Sequence, residues 1–171
     1  MTTKLEIERK FLVKLPLSQE AEKVLLDFPP NNITQTYLIP KRDGDVERVR
    51  SSSIKCLGAT FDHFTHTRKS YISPGTNKET EINLDKKRYN REILKHSDPE
   101  KNVIVKVRHF VEWKGLLFEL DIFEGAHKGL AVLEIELKDI NQHIELPPFL
   151  EVIREVTDEE EFSNFNLASK K

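Results

Sequence analysis

The sequence predicts an α+β protein built on a closed antiparallel β-barrel, with a few helices packed outside it. Three observations predict this. Charged residues of one sign recur two apart in segment after segment, apolar residues alternate with them, and short turn signals join the segments. In a strand successive side chains point to opposite faces, so each same-sign pair shares a face.

Residues 4–14 read as the first strand, with Glu6, Glu8 and Lys10 on one face and Leu5 and Ile7 on the other. Pro16 ends it, and Ser18 caps a helix over residues 20–28. Pro29-Pro30-Asn31-Asn32 breaks that helix. Residues 34–39 alternate again, and Lys41-Arg42-Asp43-Gly44 is a hairpin turn leading to a return strand over 45–55. Residues 60–72 form another strand, Ser73 to Asn77 a turn, and 78–84 the next strand. Asp85 caps a helix over 86–95. Three strands follow with short connections, over 102–113, 116–124 and 129–137, with Lys114-Gly115 and Glu124-Gly125 at the turns. Pro147-Pro148 introduces a short helical or irregular tail.

Composition sets the bounds. A chain of 171 residues suits one domain, and 37% hydrophobic residues can form a sizeable core. The formal net charge of -2 supplies no global field for nucleic acid or an anionic membrane, so neither is expected as a partner. Cys56 is the only cysteine, which excludes an internal disulfide and a cysteine zinc site and leaves a buried structural thiol. The N-terminus is charged at once, and no stretch approaches the ~20 apolar residues of a membrane helix. The expectation is a cytoplasmic protein.

Arg48 and Arg50 form a same-sign pair, as do Glu79 and Glu81, Lys106 and Arg108, Glu119 and Asp121, and Glu134 and Glu136. In an ordinary sandwich such faces meet water. Like charges on one strand face repel, however, and Glu is a poor strand former. Repeating the arrangement on at least four strands costs stability unless counter-ions lie between the charges. A closed barrel resolves this, with the apolar face outward under helices and the charged face lining a lumen. Carboxylates there suit Mg²⁺ or Mn²⁺, and arginines and lysines suit phosphate oxygens.

These residues, taken in order, resemble the CYTH superfamily, the triphosphate tunnel metalloenzymes. Its N-terminal signature Glu-x-Glu-x-Lys is here Glu6, Glu8 and Lys10, and the likeness runs almost end to end. Gln35-Thr36-Tyr37-Leu38, Arg48-Val49-Arg50, Lys69, Glu79-Thr80-Glu81 and Lys106-Val107-Arg108 follow in order. Residues 118–125 and 133–137 continue the pattern, and Glu155-Val156-Thr157 and residues 164–168 resemble the bacterial and archaeal tail. His63, His66 and the strand over 60–72 have no place in that pattern, and His109 stands where an aromatic residue is expected.

The resemblance implies one tunnel domain over residues 1–171, with eight antiparallel strands around a triphosphate and one or two divalent metals. Glu6, Glu8, Asp121, Glu134 and Glu136 would be metal ligands, with Glu79, Glu81 and Glu119 serving a second metal or a water. Lys10, Arg48, Arg50, Lys69, Lys106 and Arg108 would clamp phosphate oxygens. Some hydrolytic members pair a lysine with a tyrosine, and Lys10 and Tyr37 are the matching catalytic candidates. Cations around Lys10 would lower its pKa and acids would raise it, so sequence leaves the sign open.

The reaction implied is Mg²⁺- or Mn²⁺-dependent hydrolysis of a small-molecule triphosphate, either tripolyphosphate or a nucleoside or thiamine triphosphate. The alternatives are a class IV adenylate cyclase making cyclic AMP and pyrophosphate, and a non-catalytic polyphosphate-binding module. A closed barrel has no free strand edge, so a homodimer would use another surface.

Overall fold

The computed structural model describes residues 1–170. Its strands are β1 (Thr2–Val13), β2 (Asn31–Leu38), β3 (Asp45–Cys56), β4 (Ala59–Ser73), β5 (Thr76–Leu84), β6 (Ile104–Trp113), β7 (Leu116–Phe123), β8 (Ala131–Glu136) and β9 (Val152–Glu155). Three α-helices accompany them: α1 (Gln19–Val24), α2 (Lys86–His96) and α3 (Asn164–Leu167). The strands pair in the order β1-β5-β4-β3-β2-β6-β7-β8, and β8 returns to β1. Every pairing is antiparallel, so the expected eight-stranded barrel closes. β9 lies outside it, on β1.

The alternation in sequence becomes two faces. The outer face of β1, β6, β7 and β8 carries Phe11, Val111, Phe118, Leu120, Leu133 and Ile135, all buried under Ala21 and Leu25 and under Leu150. α2 covers a second outer cluster, where Tyr89 packs with Leu38, Val49 and Leu84. A third cluster sits inside. Ile104, Phe123 and Val132 are each two residues from a lumen charge, so they share the inner face. They pack with Tyr37 and with Phe165, Leu167 and Ala168 from the C-terminal tail. This apolar stopper closes part of the lumen.

The turns follow the sequence where it specified them. Lys114 (φ 52°) and Gly115 (φ 72°) are both left-handed, the two-residue turn whose twist matches its flanking strands. Ser18 and Asp85 cap α1 and α2 through Ala21 N–H and Arg88 N–H.

Four expectations need correction. α1 stops at Val24 instead of running to residue 28. Its end tightens, with Leu26 N–H donating to Lys23 and Asp27 N–H to Val24, and Phe28 precedes a proline that disfavours helix. β2 begins at Asn31, because Asn31 and Asn32 pair with both β3 and β6. The tail contains the unexpected strand β9. Cys56, expected to be buried, is a half-buried free thiol at the end of β3.

Candidate functional site

β1 brings Glu6, Glu8 and Lys10 onto the inner face, opposite Glu134 on β8 and beside Lys69 on β4 and Glu79 on β5. Lys10 Nζ lies 2.9 Å from Glu8 and 2.7 Å from Glu134. Lys69 pairs with Glu6, and with Glu79 at 3.4 Å. On β6, Arg108 forks onto Asp121 at 2.6 and 2.7 Å and reaches Glu134 at 2.8 Å and Glu119 on β7. Lys106 pairs with Asp121, and Asn164 of α3 accepts from Lys106 at 3.3 Å. The predicted same-sign faces therefore interlock, each acid strand meeting a basic neighbour.

Arg48 and Arg50 are different. Among the described residues the one carboxylate near Arg48 is that of Glu79, at 4.0 Å. Arg50 has no carboxylate within that range among the described residues, and touches Gln35 Oε1 at 3.5 Å. The Nε atoms of both are buried without a hydrogen-bond partner. The cause is the register. Arg48 faces Tyr37 and Thr67 across the ladders, and Arg50 faces Gln35 and Thr65, whereas Arg108 faces Asp121.

The electrostatics follow this division. Burial pulls Lys10 down, but the Glu134 and Glu8 carboxylates outweigh it and hold it well above the ordinary lysine range. The carboxylates beside it therefore favour the charged form of Lys10. Burial also opposes ionisation of Glu134, but Lys10, Lys106 and Arg108 hold it well below the usual carboxylate range. Burial pushes Arg50 down to about 10, and the neighbouring Arg48 and Arg108 push the same way. Burial brings Lys106 to about 8, against the pull of Asp121. Tyr37 is raised by burial, although Arg48 opposes it. Its hydroxyl accepts from Gln35 Nε2 at 2.9 Å, and no Lys10–Tyr37 hydrogen bond occurs among the described residues.

A polar cavity of about 160 Å³ occupies the lumen. Glu6, Glu8, Glu79, Glu81, Glu119, Glu134 and Glu136 line it, with Lys10, Arg48, Arg50, Lys69 and Arg108. Asp121 and Lys106 line neither this cavity nor its neighbour, Lys106 being spent on Asp121, and Asp121 on Lys106 and Arg108. Glu136 sits at an exposed rim, held by Lys4 at 3.0 Å. Thr67 donates to Glu81 at 3.0 Å. Lys4 and Asn164 also line the lumen and escaped the sequence reading. Lys4 could have been found by its spacing from Glu6, but no local signal marks Asn164. An adjoining cavity of about 400 Å³ lies between the β2–β3 and β4–β5 hairpin tips and the tail, where Tyr71, Pro74 and Phe165 meet Lys10, Arg48 and Lys69.

Hard carboxylate oxygens on one lumen wall are the donor set that Mg²⁺ or Mn²⁺ takes. Glu6, Glu8 and Glu134 fit that role chemically. No three acids, histidines or cysteines converge into a preformed cage among the described residues, and Glu6, Glu8 and Glu134 are each turned toward a lysine. The histidines lie apart: His66 pairs with Glu47 and His63 with Asn83.

No family model matches the chain. An inorganic triphosphatase of Acetivibrio thermocellus is 40% identical over 68 residues, which is 40% of this chain and 42% of that protein. The match thus spans less than half of that relative's length. The solved structure of the inorganic triphosphatase NE1496 has a TM-score of 0.58 at 26% identity, covering 97% of this chain and 95% of that one. A putative adenylate cyclase from Bacillus halodurans shares the fold at 20% identity and a TM-score of 0.51, over 82% of this chain and 84% of its own. The chain thus shares the closed eight-stranded barrel of a solved inorganic triphosphatase and is similar in part of its sequence to another.

Proposed function

We propose that this protein hydrolyses a small-molecule triphosphate inside its tunnel with the aid of Mg²⁺ or Mn²⁺. The observation that carries the reading is the pair Arg48 and Arg50. Two neighbouring buried guanidiniums without a close carboxylate are costly in a folded protein, and a polyanion relieves that cost. The other lumen cations are already neutralised. The likeness to inorganic triphosphatases in sequence and structure supports the same reading.

In this mechanism Arg48 and Arg50 take phosphate oxygens first. Lys10 and Lys69, each shared between two carboxylates, exchange one of them for a phosphate oxygen as the substrate enters. Glu6, Glu8 and Glu134 would hold the metal. A bound divalent ion supplies charge neutralisation and a more acidic water. Lys10, held beside Glu8 and Glu134, places its charge against the developing negative charge on the phosphate oxygens. The stopper of Ile104, Phe123 and Val132 with Phe165 keeps water away from one end of the lumen. Preorganised donors of this kind contribute about 10²–10³ each in kcat, and positioning with neutralisation carries most of phosphoryl transfer.

The cavity of about 400 Å³ supports a second reading, in which an organic triphosphate places its head group beside Tyr71, Pro74 and Phe165. One experiment separates these readings: tripolyphosphate, ATP and thiamine triphosphate are each incubated with the protein and Mg²⁺ or Mn²⁺, and the products identified. Orthophosphate from tripolyphosphate, stopped by a chelator, is expected. Cyclic AMP and pyrophosphate from ATP, without orthophosphate, would replace hydrolase by cyclase. Tight tripolyphosphate binding without turnover would leave a binding module.

A further inference from the structure

The Glu-x-Glu-x-Lys stretch sits at a seam in the barrel. Along one edge of β1, β5 pairs from Thr2 to Ile7 and then ends. On the same edge β9 pairs from Phe11 to Val13. Between them lie Glu8, Arg9 and Lys10, which have no strand on that side. Two atoms outside the ladders fill the gap. The Gly75 carbonyl, at the tip of the β4–β5 hairpin, accepts from Glu8 N–H at 2.8 Å. The Thr157 hydroxyl, beyond the end of β9, accepts from Lys10 N–H at 3.0 Å. Val156 N–H donates to the Lys10 carbonyl at 2.8 Å, so the tail grips Lys10 at both its amide and its carbonyl.

The two supports are fitted to each other. Gly75 adopts φ +67°, which disfavours any other residue. A Cβ there would stand 2.7 Å from the Glu8 carbonyl oxygen and 2.9 Å from Thr157 Cγ2. Only a glycine allows the hairpin tip, the tail and β1 to meet at this point. Thr157 is itself oriented. Its hydroxyl proton goes to Glu155 Oε1 at 2.7 Å, which leaves an oxygen lone pair for Lys10 N–H. Glu155 in turn is fixed by a fork from Arg9 at 2.8 and 2.6 Å. Arg9 points out of the barrel from between the two lumen residues. The chain Arg9–Glu155–Thr157–Lys10 N–H therefore ties the outside of the motif to the backbone that aims its inside.

We infer that Gly75 and Thr157 are positioning residues that fix Glu8 and Lys10 in the tunnel, by holding their backbone amides where the barrel ladder is interrupted. The functional half of this inference rests on the triphosphatase reading above; the geometric half does not. Neither side chain pairs with a lumen charge; both residues border the adjoining cavity of about 400 Å³, so tripolyphosphate, which carries no head group, is the substrate that reads the pinning. A shift of about 1 Å at a reacting group can cost about 10²-fold in rate, which is the scale on which a loosened seam would be felt.

The test uses Thr157→Val, which keeps the shape and removes the acceptor, with Thr157→Ser as the restoring variant and Gly75→Ala as the second site. Amide hydrogen exchange is read at Glu8 and Lys10, and steady-state kinetics with tripolyphosphate and Mg²⁺ run alongside. In Thr157→Val the Lys10 amide should exchange at least tenfold faster while barrel amides such as those of Val49 and Leu120 keep their protection. Its kcat should fall about tenfold with KM within twofold, and Thr157→Ser should recover both. Gly75→Ala should loosen the Glu8 amide and lower kcat in the same way. Unchanged Lys10 exchange and kcat in Thr157→Val would overturn the inference. So would faster exchange throughout the barrel, or a serine variant as impaired as the valine. A wild-type protein inactive on tripolyphosphate would remove the triphosphatase reading, and the exchange rates alone would then decide the pinning.

Discussion

Replacing Arg50 by methionine should stabilise the protein and disable it. Arg50 faces Gln35 and Thr65 across its ladders and, among the described residues, has no carboxylate partner and keeps its Nε buried and unbonded. Burial, with Arg48 and Arg108 beside it, pulls its guanidinium down to about 10. At about 1.36 kcal/mol per tenfold in acidity, that is about 3 kcal/mol against the charged form. The residue as a whole retains some access to the lumen cavity, so about half of this, ~1–2 kcal/mol, is the expected gain on neutralisation. Methionine fills a similar volume without a charge. In a protein of this size the gain is a rise of about 2–8 °C in Tm. Loss of a forked phosphate contact should meanwhile lower kcat/KM for tripolyphosphate about 10²-fold or more. Scanning calorimetry with and without tripolyphosphate reads both effects, since the variant should start higher and gain less from the ligand. A lower Tm with unaltered ligand stabilisation would refute the idea that Arg50 is an unpaired cation kept for an anion.

Lys10→Met should lose about 3–5 kcal/mol in chemical unfolding, because it leaves Glu8 and Glu134 close together and uncompensated; Mg²⁺ should restore part of that loss, and a variant as stable as wild type would contradict the pairing. Glu8→Gln should abolish Mg²⁺-dependent turnover while circular dichroism stays native, and wild-type rates would remove Glu8 from the metal-holding set. Acid should unfold the protein steeply. Lysines and arginines outweigh burial to hold Glu8, Glu79, Asp121 and Glu134 below their ordinary values, so their contribution is complete above about pH 4.5 and is lost as pH falls through the folded values. Burial raises Glu6 and Glu119, which gives the opposite sign over fewer groups. Denaturant titrations between pH 3 and 6 would show this, and stability rising toward pH 3 would contradict it.

The barrel was legible because its chemistry is periodic. Glu6, Glu8 and Lys10, and the five same-sign pairs after them, mark an inner face by spacing alone, and Val111, Leu120 and Leu133 mark the outer one. The lumen's division of labour was not legible along the chain. Arg48-Val49-Arg50 and Lys106-Val107-Arg108 look alike in sequence, yet one pair is nearly free and the other saturated. The difference lies in the neighbours that strand order supplies, which are Tyr37, Gln35, Thr65 and Thr67 for one and Asp121 and Glu119 for the other. The same holds for Asp121, which reads as a ligand in sequence and is enclosed by Lys106 and Arg108 in the fold. β9, the stopper helix α3 and the Gly75 contact depend on chain segments far apart in sequence. A four-residue strand after two prolines carries too little pattern to be seen without its partner β1.

The central claim is that the tunnel's uncompensated arginines receive the polyphosphate. Titration calorimetry of tripolyphosphate into the wild type and into an Arg48→Met/Arg50→Met double variant tests it most directly. The wild type should bind one equivalent, and the double variant, still folded, should bind at least 100-fold more weakly. Equal affinity in the two proteins would place the anion elsewhere and contradict the account.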